Sequence, residues 1–301
     1  VIVRVLGSAA GGGVPQWNCA CKNCLAARNG RAPSRSQSSV AISSDGKRWL
    51  LLNCSPDVAA QIEAFLPLQP RERRGTPIAG MLFTDANVDH LGGLASLRQH
   101  GPKGFVVRSS EVVRTIALAQ PAFAPFAVSP HRWLAAPLGE WCENAGAHDP
   151  VGDGLEVRAF AVPGTTPGFD GRRSVKGAVV AYQISEPSST ASLVFAPVFS
   201  ALDEMLVDAV ASAEVAFLDG SFYSDDELES QDLMRKHARA LGHQPVGGPD
   251  GTLAQLRGVR TRVIFTHVNN SNPMLDPSSD AYASVRESGS EIAYDGMELT
   301  L

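Results

Sequence analysis

Residues 78–94 place the tightest limit on what this chain can fold into. Ile78 to Thr84 is a mostly apolar run of strand length, read as buried. It leads directly into Asp85-Ala86-Asn87-Val88-Asp89-His90-Leu91-Gly92-Gly93-Leu94. Layered α/β folds place ligand-binding groups where strands end. Asp89 and His90 stand side by side at such a place, and the glycine pair lets the backbone pack closely as a helix begins. Taken alone, Asp89 would serve equally well as a helix N-cap. A second apolar run, Arg262 to Phe265, ends in Thr266-His267-Val268-Asn269-Asn270-Ser271-Asn272. It too puts a histidine where a strand gives way to a polar loop, the usual carrier of function.

Three of the five cysteines, Cys19, Cys21 and Cys24, lie within six residues behind the Gly11-Gly12-Gly13 loop. That spacing is too cramped for a disulfide framework and points to metal. Three thiolates from one loop, closed by one remote ligand, make a structural zinc site. The cluster does not identify the fourth ligand. Cys54 and Cys142 read as buried thiols. His100, His131, His148 and His237 read as solvated, and His243 as a pocket-lining residue or a group behind a ligand.

With 301 residues, 44% of them hydrophobic, the chain can bury a large core. A net charge of -5 with no basic stripe excludes nucleic acid as the expected partner. No apolar run reaches 18 residues and no export signal is legible, so a soluble, cytoplasmic protein without membrane contact is expected. The opening Val1 suggests that only the initiator methionine is missing. A hairpin is expected from Ser39–Ser44 and Trp49–Asn53 around Asp45-Gly46. Further strands are expected at 1–7, 105–108, 155–162, 177–184, 192–196, 215–218 and 262–265. Helices are expected at 58–65, 110–118, 201–211, 225–241 and 252–256, with a helix start at 94–99. The mixture of early hairpins and later βα units suggests a layered α/β fold without a linker to divide it, hence one domain over 1–301.

These segments, in this order, resemble the metallo-β-lactamase superfamily. The Cys-x-Cys-x-x-Cys insert and Tyr294-Asp295-Gly296-Met297-Glu298 resemble its phosphodiesterase-like branch. Val14-Pro15-Gln16-Trp17-Asn18-Cys19, Arg35-Ser36-Gln37-Ser38-Ser39, Thr84-Asp85-Ala86, Asp89-His90 and Thr266-His267-Val268-Asn269-Asn270 are similar to a family of pyrroloquinoline quinone (PQQ) biosynthesis proteins within that branch. The resemblance runs from about Val5 to Glu298. It implies an αββα four-layer sandwich with a metal site at one rim. The superfamily's His-x-His-x-Asp-His pattern falls on Asp85, Asn87, Asp89 and His90, and its late strand-end histidine on His267. A mid-chain histidine is expected near Val162 to Pro167, where none stands, and a metal-bridging aspartate at Pro197. The branch closes its cysteine site with a histidine at the position of Asn270, so Asn270 and His243 compete as fourth ligand.

The resemblance therefore implies that the two-metal hydrolytic site is dismantled and that Asp89, His90 and His267 remain. Two imidazoles and a carboxylate are the ligand types of non-haem Fe(II) oxygenases. Asp85 is expected on the rim beside the metal, as a further ligand or as a base for a phenolic proton. The implied activity is Fe(II)- and O2-dependent hydroxylation of a tyrosine or a cross-linked Glu-Tyr precursor of PQQ. The expected cofactors are structural Zn2+ and active-site Fe2+, with Zn2+ as a substitute. The expected partners are a small-molecule or short-peptide precursor and other PQQ biosynthesis proteins. The alternatives are a non-catalytic carrier in transport of PQQ or its precursor, and a residual metal-dependent hydrolase. Arg172, Arg173 and Lys176 read as a solvated basic loop that could meet substrate carboxylates.

Overall fold

Apolar runs of strand length, most of them buried on both faces, form two sheets. The computed structural model describes residues 1–99, 104–142 and 154–301. Among these, the first sheet holds β1 (Ile2–Gly7), β2 (Ser39–Ser43), β3 (Trp49–Leu52), β4 (Ile78–Leu82), β5 (Val106–Ser109) and β6 (Arg132–Ala135). The second holds β7 (Trp141–Cys142), β8 (Glu156–Ala161), β9 (Val180–Ser185), β10 (Ser192–Ala196), β11 (Val215–Asp219), β12 (Arg262–Thr266) and β13 (Glu291–Ile292). The last strand, β14 (Glu298–Thr300), returns to the first sheet. The orders are β14-β1-β2-β3-β4-β5-β6 and β13-β12-β11-β10-β9-β8-β7. Both sheets are mixed in the same way. Pairing is antiparallel through β14-β1-β2-β3 and parallel through β3-β4-β5-β6. It is antiparallel through β7-β8-β9-β10 and parallel through β10-β11-β12-β13.

Successive side chains of a strand point to opposite faces. Val3, Val5, Val40, Ile42, Leu50 and Leu52 meet Tyr182, Leu193, Phe195, Val215 and Phe217 between the sheets. Each such side chain, fully buried, stabilises the fold by roughly 1.5–3 kcal/mol. The alternate residues Ala41, Leu51, Met81 and Val107 pack against Val113 and Ile116 of the helix Glu111–Leu118. On the far side, Val194, Ala196, Ala216 and Leu218 pack against Leu206 and Val210 of the helix Glu204–Ser212 and Val285 of the helix Asp280–Glu287. Two sheets face to face with helices outside both make the αββα sandwich that the resemblance implied.

The expected hairpin is present, with Val40 opposite Leu52 and the Asp45 carboxylate accepting from the Lys47 and Arg48 amides in the turn. The single helix expected over 225–241 is corrected. Two short helices, Glu227–Ser230 and Ala238–Leu241, flank a loop. Asp232 there adopts a left-handed φ of 55°, and the Asp225 side chain accepts from the Arg239 amide instead of letting a helix run through. The start at 94–99 becomes a 3-10 stretch, Gly92–Arg98. β6, β7, β13, β14 and the Ser279-capped helix Asp280–Glu287 were not expected; all are short, and the strands take their definition from neighbours.

His131 corrects its expected exposure: it is buried between Phe105 and Phe126 and accepts from the Phe105 amide. His237 is exposed. His100 and His148 lie outside the described residues.

Candidate metal centre

The site assembles at the carboxyl ends of β4, β11 and β12. Past β4 the chain turns through Thr84-Asp85-Ala86-Asn87 into a short helix, Val88–Leu91. Gly93 then runs so close to the β3 end that a Cβ on it would lie 2.0 Å from the Ser55 carbonyl oxygen. That close approach holds the Asp-His pair over the sheet. The expectation that Asp85 stands on the rim is corrected. It is 0% exposed and sits behind His90, with Oδ2 2.6 Å from His90 Nδ1. Its other oxygen accepts from the Asn87 amide and side chain, at 2.9 and 2.8 Å. Asp85 is thus engaged on both oxygens and orients the imidazole; it does not reach the face that a ligand or a phenol would approach. Asn87 lines the cavity in front.

Past β12, His267 takes a left-handed φ of 57°. Such strain is found where surrounding contacts fix a functional conformation. Here the Val268 amide donates to Ser8 and the Asn269 amide to Ser221. Ser221 Oγ donates to Asp219 Oδ1 (2.6 Å) and lies 2.8 Å from His267 Nδ1. A hydroxyl that gives its proton to a carboxylate accepts from the ring N–H, so His267 carries its proton on Nδ1. Asp219 Oδ2 lies 2.8 Å from His243 Nδ1, and His243 stacks on His267 with centroids 5.6 Å apart.

Both imidazoles are therefore held from behind, and their Nε2 atoms point to one place. His267 Nε2 is 3.2 Å from Asp89 Oδ2, and His90 Nε2 is 3.8 Å from the same oxygen. His90 Nε2 is buried with no hydrogen-bond partner. Burial holds the His267 ring neutral, with its pKa below the usual histidine value. Its lone pair then faces an ionised carboxylate, which is repulsive unless a cation lies between. Burial alone would also lower His90, but Asp85 and Asp89 outweigh it and raise its pKa to about 9. The spot favours positive charge, as a proton or as a metal. Histidine fixed by a carboxylate on its far nitrogen is the usual support of a metal ligand. The donor set Asp89, His90 and His267 therefore fits a divalent cation. Gly11 closes one side, where a Cβ would lie 3.1 Å from Asp89 Oδ2.

The cysteine loop makes a second donor set. The sulfurs of Cys19, Cys21 and Cys24 lie within 4.8 Å of one another. The Asn270 carboxamide caps them, with Nδ2 at 3.1, 3.5 and 3.3 Å. Tetrahedral zinc with three thiolates would put its fourth donor roughly 3.6 Å from each sulfur, and a half-turn of the amide presents Oδ1 at that corner. Burial, together with the neighbouring Cys21 sulfur, pushes the Cys24 thiol up to about 11, a cost that a bound cation removes. His243 lies in the other cluster, with Asp219 and His267, and Asn270 is the side chain that faces the three sulfurs.

The Asp89-His90 turn, the cysteine loop and the segment 267–270 thus come together as two adjacent sites, with His267 in one and Asn270 in the other. Sequence reading missed Asp219 and Ser221. The signal was available in Phe217-Leu218-Asp219-Gly220-Ser221, another strand-end acid. No histidine stands near Val162 to Pro167; Thr165 and Thr166 of that segment line a cavity of about 200 Å³ together with His243 and Arg172. Arg173 pairs instead with Asp170, and Lys176 faces a different cleft.

A model of the β-lactamase superfamily domain matches residues 48–268. The chain is 35% identical to coenzyme PQQ synthesis protein B of Ruegeria pomeroyi over 99% of both chains, and 37% identical to that of Ectopseudomonas mendocina over 99% of both. Its backbone matches the crystal structure of Zn2+-bound PqqB from Methylobacterium extorquens with a TM-score of 0.92, 34% identity and full coverage of both chains. By fold, by the matched domain and by full-length similarity, the chain belongs to the metallo-β-lactamase superfamily and, within it, to the coenzyme PQQ synthesis protein B family.

Proposed function

We propose that this protein acts in PQQ biosynthesis as an Fe(II)- and O2-dependent hydroxylase of a tyrosine ring, free or in a cross-linked Glu-Tyr precursor. The observation that carries the reading is the convergence of His90 Nε2, His267 Nε2 and Asp89 Oδ2, each imidazole fixed from behind by an acid or a hydroxyl. Ferrous iron in a two-histidine, one-carboxylate set supplies one-electron redox chemistry with dioxygen. The names of the full-length relatives support the pathway.

The chain's own residues do the rest. Asp85 and Ser221 hold the Nδ1 side of each ligand imidazole, so that Nε2 of both His90 and His267 faces the donor site. Burial of His90 and His267 keeps bulk water from the donor face. His243, its Nδ1 against Asp219 and its pKa raised by that carboxylate over the opposing effect of burial, is the group placed to exchange a proton with a phenol. One oxygen atom enters the ring, and the other leaves as water, with two electrons from a reductant such as ascorbate and two protons.

Anaerobic loading with Fe(II), followed by oxygen, ascorbate and a tyrosine-containing substrate, tests the reading. A hydroxylated ring supports it. Tight PQQ binding without turnover would favour the carrier, and phosphodiester or lactam cleavage a one-metal hydrolase. The Asp219–His243 pair is the feature that keeps the hydrolytic reading specific. His90→Ala and His267→Ala should each abolish hydroxylation while the cysteine-site zinc remains; unchanged activity in both would remove the triad.

A further inference from the structure

We propose that Arg172 is the carboxylate anchor of this cavity, the side chain by which it selects a small ligand that bears a carboxylate. The inference rests on the reading that the cavity is the substrate site, but not on which reaction occurs there.

The argument begins with charge. The acids at the cavity are already engaged: Asp89 with His267 and His90, and Asp219 with His243 and Ser221. Among the described lining residues, Arg172 is the side chain with a permanent positive charge. Its hydrogen bond runs from Nη1 to a neutral acceptor, the Leu241 carbonyl, at 3.2 Å. Its neighbour Arg173 is neutralised by Asp170 at 2.5 Å. Arg172 is exposed, and a guanidinium offers five donors in a fork that matches a carboxylate. One donor spent on Leu241 leaves the others for a ligand.

Backbone geometry points the same way. Gly171 and Arg172 are consecutive left-handed residues, with φ of 83° and 49°. The loop is pinned on both sides by Thr166, whose amide donates to the Arg173 carbonyl and whose hydroxyl accepts from the Arg173 amide. An arginine in a conformation that favours glycine, held there by its neighbours, marks a position where the side chain is wanted. The turn sends Arg172 across to the 241–243 loop that carries His243. Size completes the case. A cavity of about 200 Å³ is smaller than the roughly 300–1,000 Å³ of drug-sized sites. The metal donors receive one end of the ligand, and Arg172 receives a carboxylate on it.

Equilibrium binding to zinc-loaded protein tests this without turnover. The probes are L-tyrosine and tyramine, which share the phenol and amine and differ in the carboxylate. Wild type should prefer tyrosine by about 10- to 100-fold, the range of a charge-assisted hydrogen-bonded pair. Arg172→Gln should bind the two alike, and Arg172→Lys should keep only part of the preference. Arg172→Gly suits the left-handed backbone, so it keeps the fold while losing the preference. A preference retained in Arg172→Gln and Arg172→Gly overturns the assignment, as does wild type that fails to prefer tyrosine. Because zinc supports no redox step, a failed hydroxylase assay leaves this result standing. Equal hydroxylation of tyrosine and tyramine by the iron form would remove the anchor and keep the hydroxylase.

Discussion

Asp85 illustrates how little a residue's position in a motif says about its job. It occupies a slot that resemblance assigns to a metal ligand, yet its carboxylate sets the protonation of the ligand next to it. Asp85→Asn should therefore weaken metal binding at Asp89, His90 and His267 by about 10- to 100-fold with the fold intact. Competitive metal titration with circular dichroism measures both, and an unchanged affinity would leave Asp85 without that role. Glu227 makes a second case. It is buried, accepts from Ser271 Oγ and the Tyr223 amide, and burial raises its pKa from 4.5 to about 7. Between these values the folded chain keeps a proton that the unfolded chain has released, so stability falls as pH rises from 4.5 to 7 and is flat above. The loss is on the order of 3 kcal/mol. Glu227→Gln keeps the Tyr223 amide on its carbonyl oxygen, donates from Nε2 to the Ser271 hydroxyl as the protonated acid does, and removes the titration. Its unfolding free energy should match wild type near pH 4.5 and exceed it by roughly 2–3 kcal/mol at pH 8; parallel pH profiles would contradict this.

At the scale of elements, the contact between β3 and the turn after β4 fixes the donor face. The Gly93 amide donates to the Cys54 carbonyl at 3.0 Å, and there is no room for a side chain. Gly93→Ala should destabilise the protein by about 1–3 kcal/mol, as overpacking does, and should weaken metal binding together with stability. Urea unfolding with an unchanged slope, alongside metal titration, checks the pair of effects. The C-terminal motif has a similar element-level explanation. Asp295 accepts from the amides and hydroxyls of Ser8 and Ser36, and Arg35 donates to the Ala293 carbonyl. The Arg35–Ser39 and Tyr294–Glu298 segments are far apart in the chain, yet together they close the edge where β1 meets β14.

For the molecule as a whole, the segment from His267 to Asn272 ties the two donor sets together. Asn270 caps the sulfurs, Asn23 donates to the Asn270 and Asn272 carbonyls, and Lys22 pairs with Asp276. A cation at the cysteines therefore holds the loop that carries His267. Stripping it with a chelator should lower stability by about 3–4 kcal/mol if it is bound at a hundred to a thousand times its dissociation constant. The drop in Tm should vanish in Cys24→Ser. Protein that contains one zinc but shows no drop would argue against this coupling.

The sequence by itself determined β1 to β5 and β8 to β12, because apolar runs of strand length with flanking turn residues are local signals; the short β6, β7, β13 and β14 depended on their neighbours. It also determined the Cys19-Cys21-Cys24 loop and the Asp89-His90 pair, because their donors are neighbours in the chain. Arg172 was legible only as part of a basic loop. Tertiary structure decided which residues stand in front of a ligand and which behind it. Asp85 moved behind His90, Asp219 and Ser221 moved behind His267, and His243 was assigned to their side and not to the sulfurs. Those distinctions depend on distances of a few ångströms: Asp85 to His90 within one turn, and Asp219 to His243 and Ser221 to His267 across 24 and 46 residues, and only the packing of the strand ends sets them.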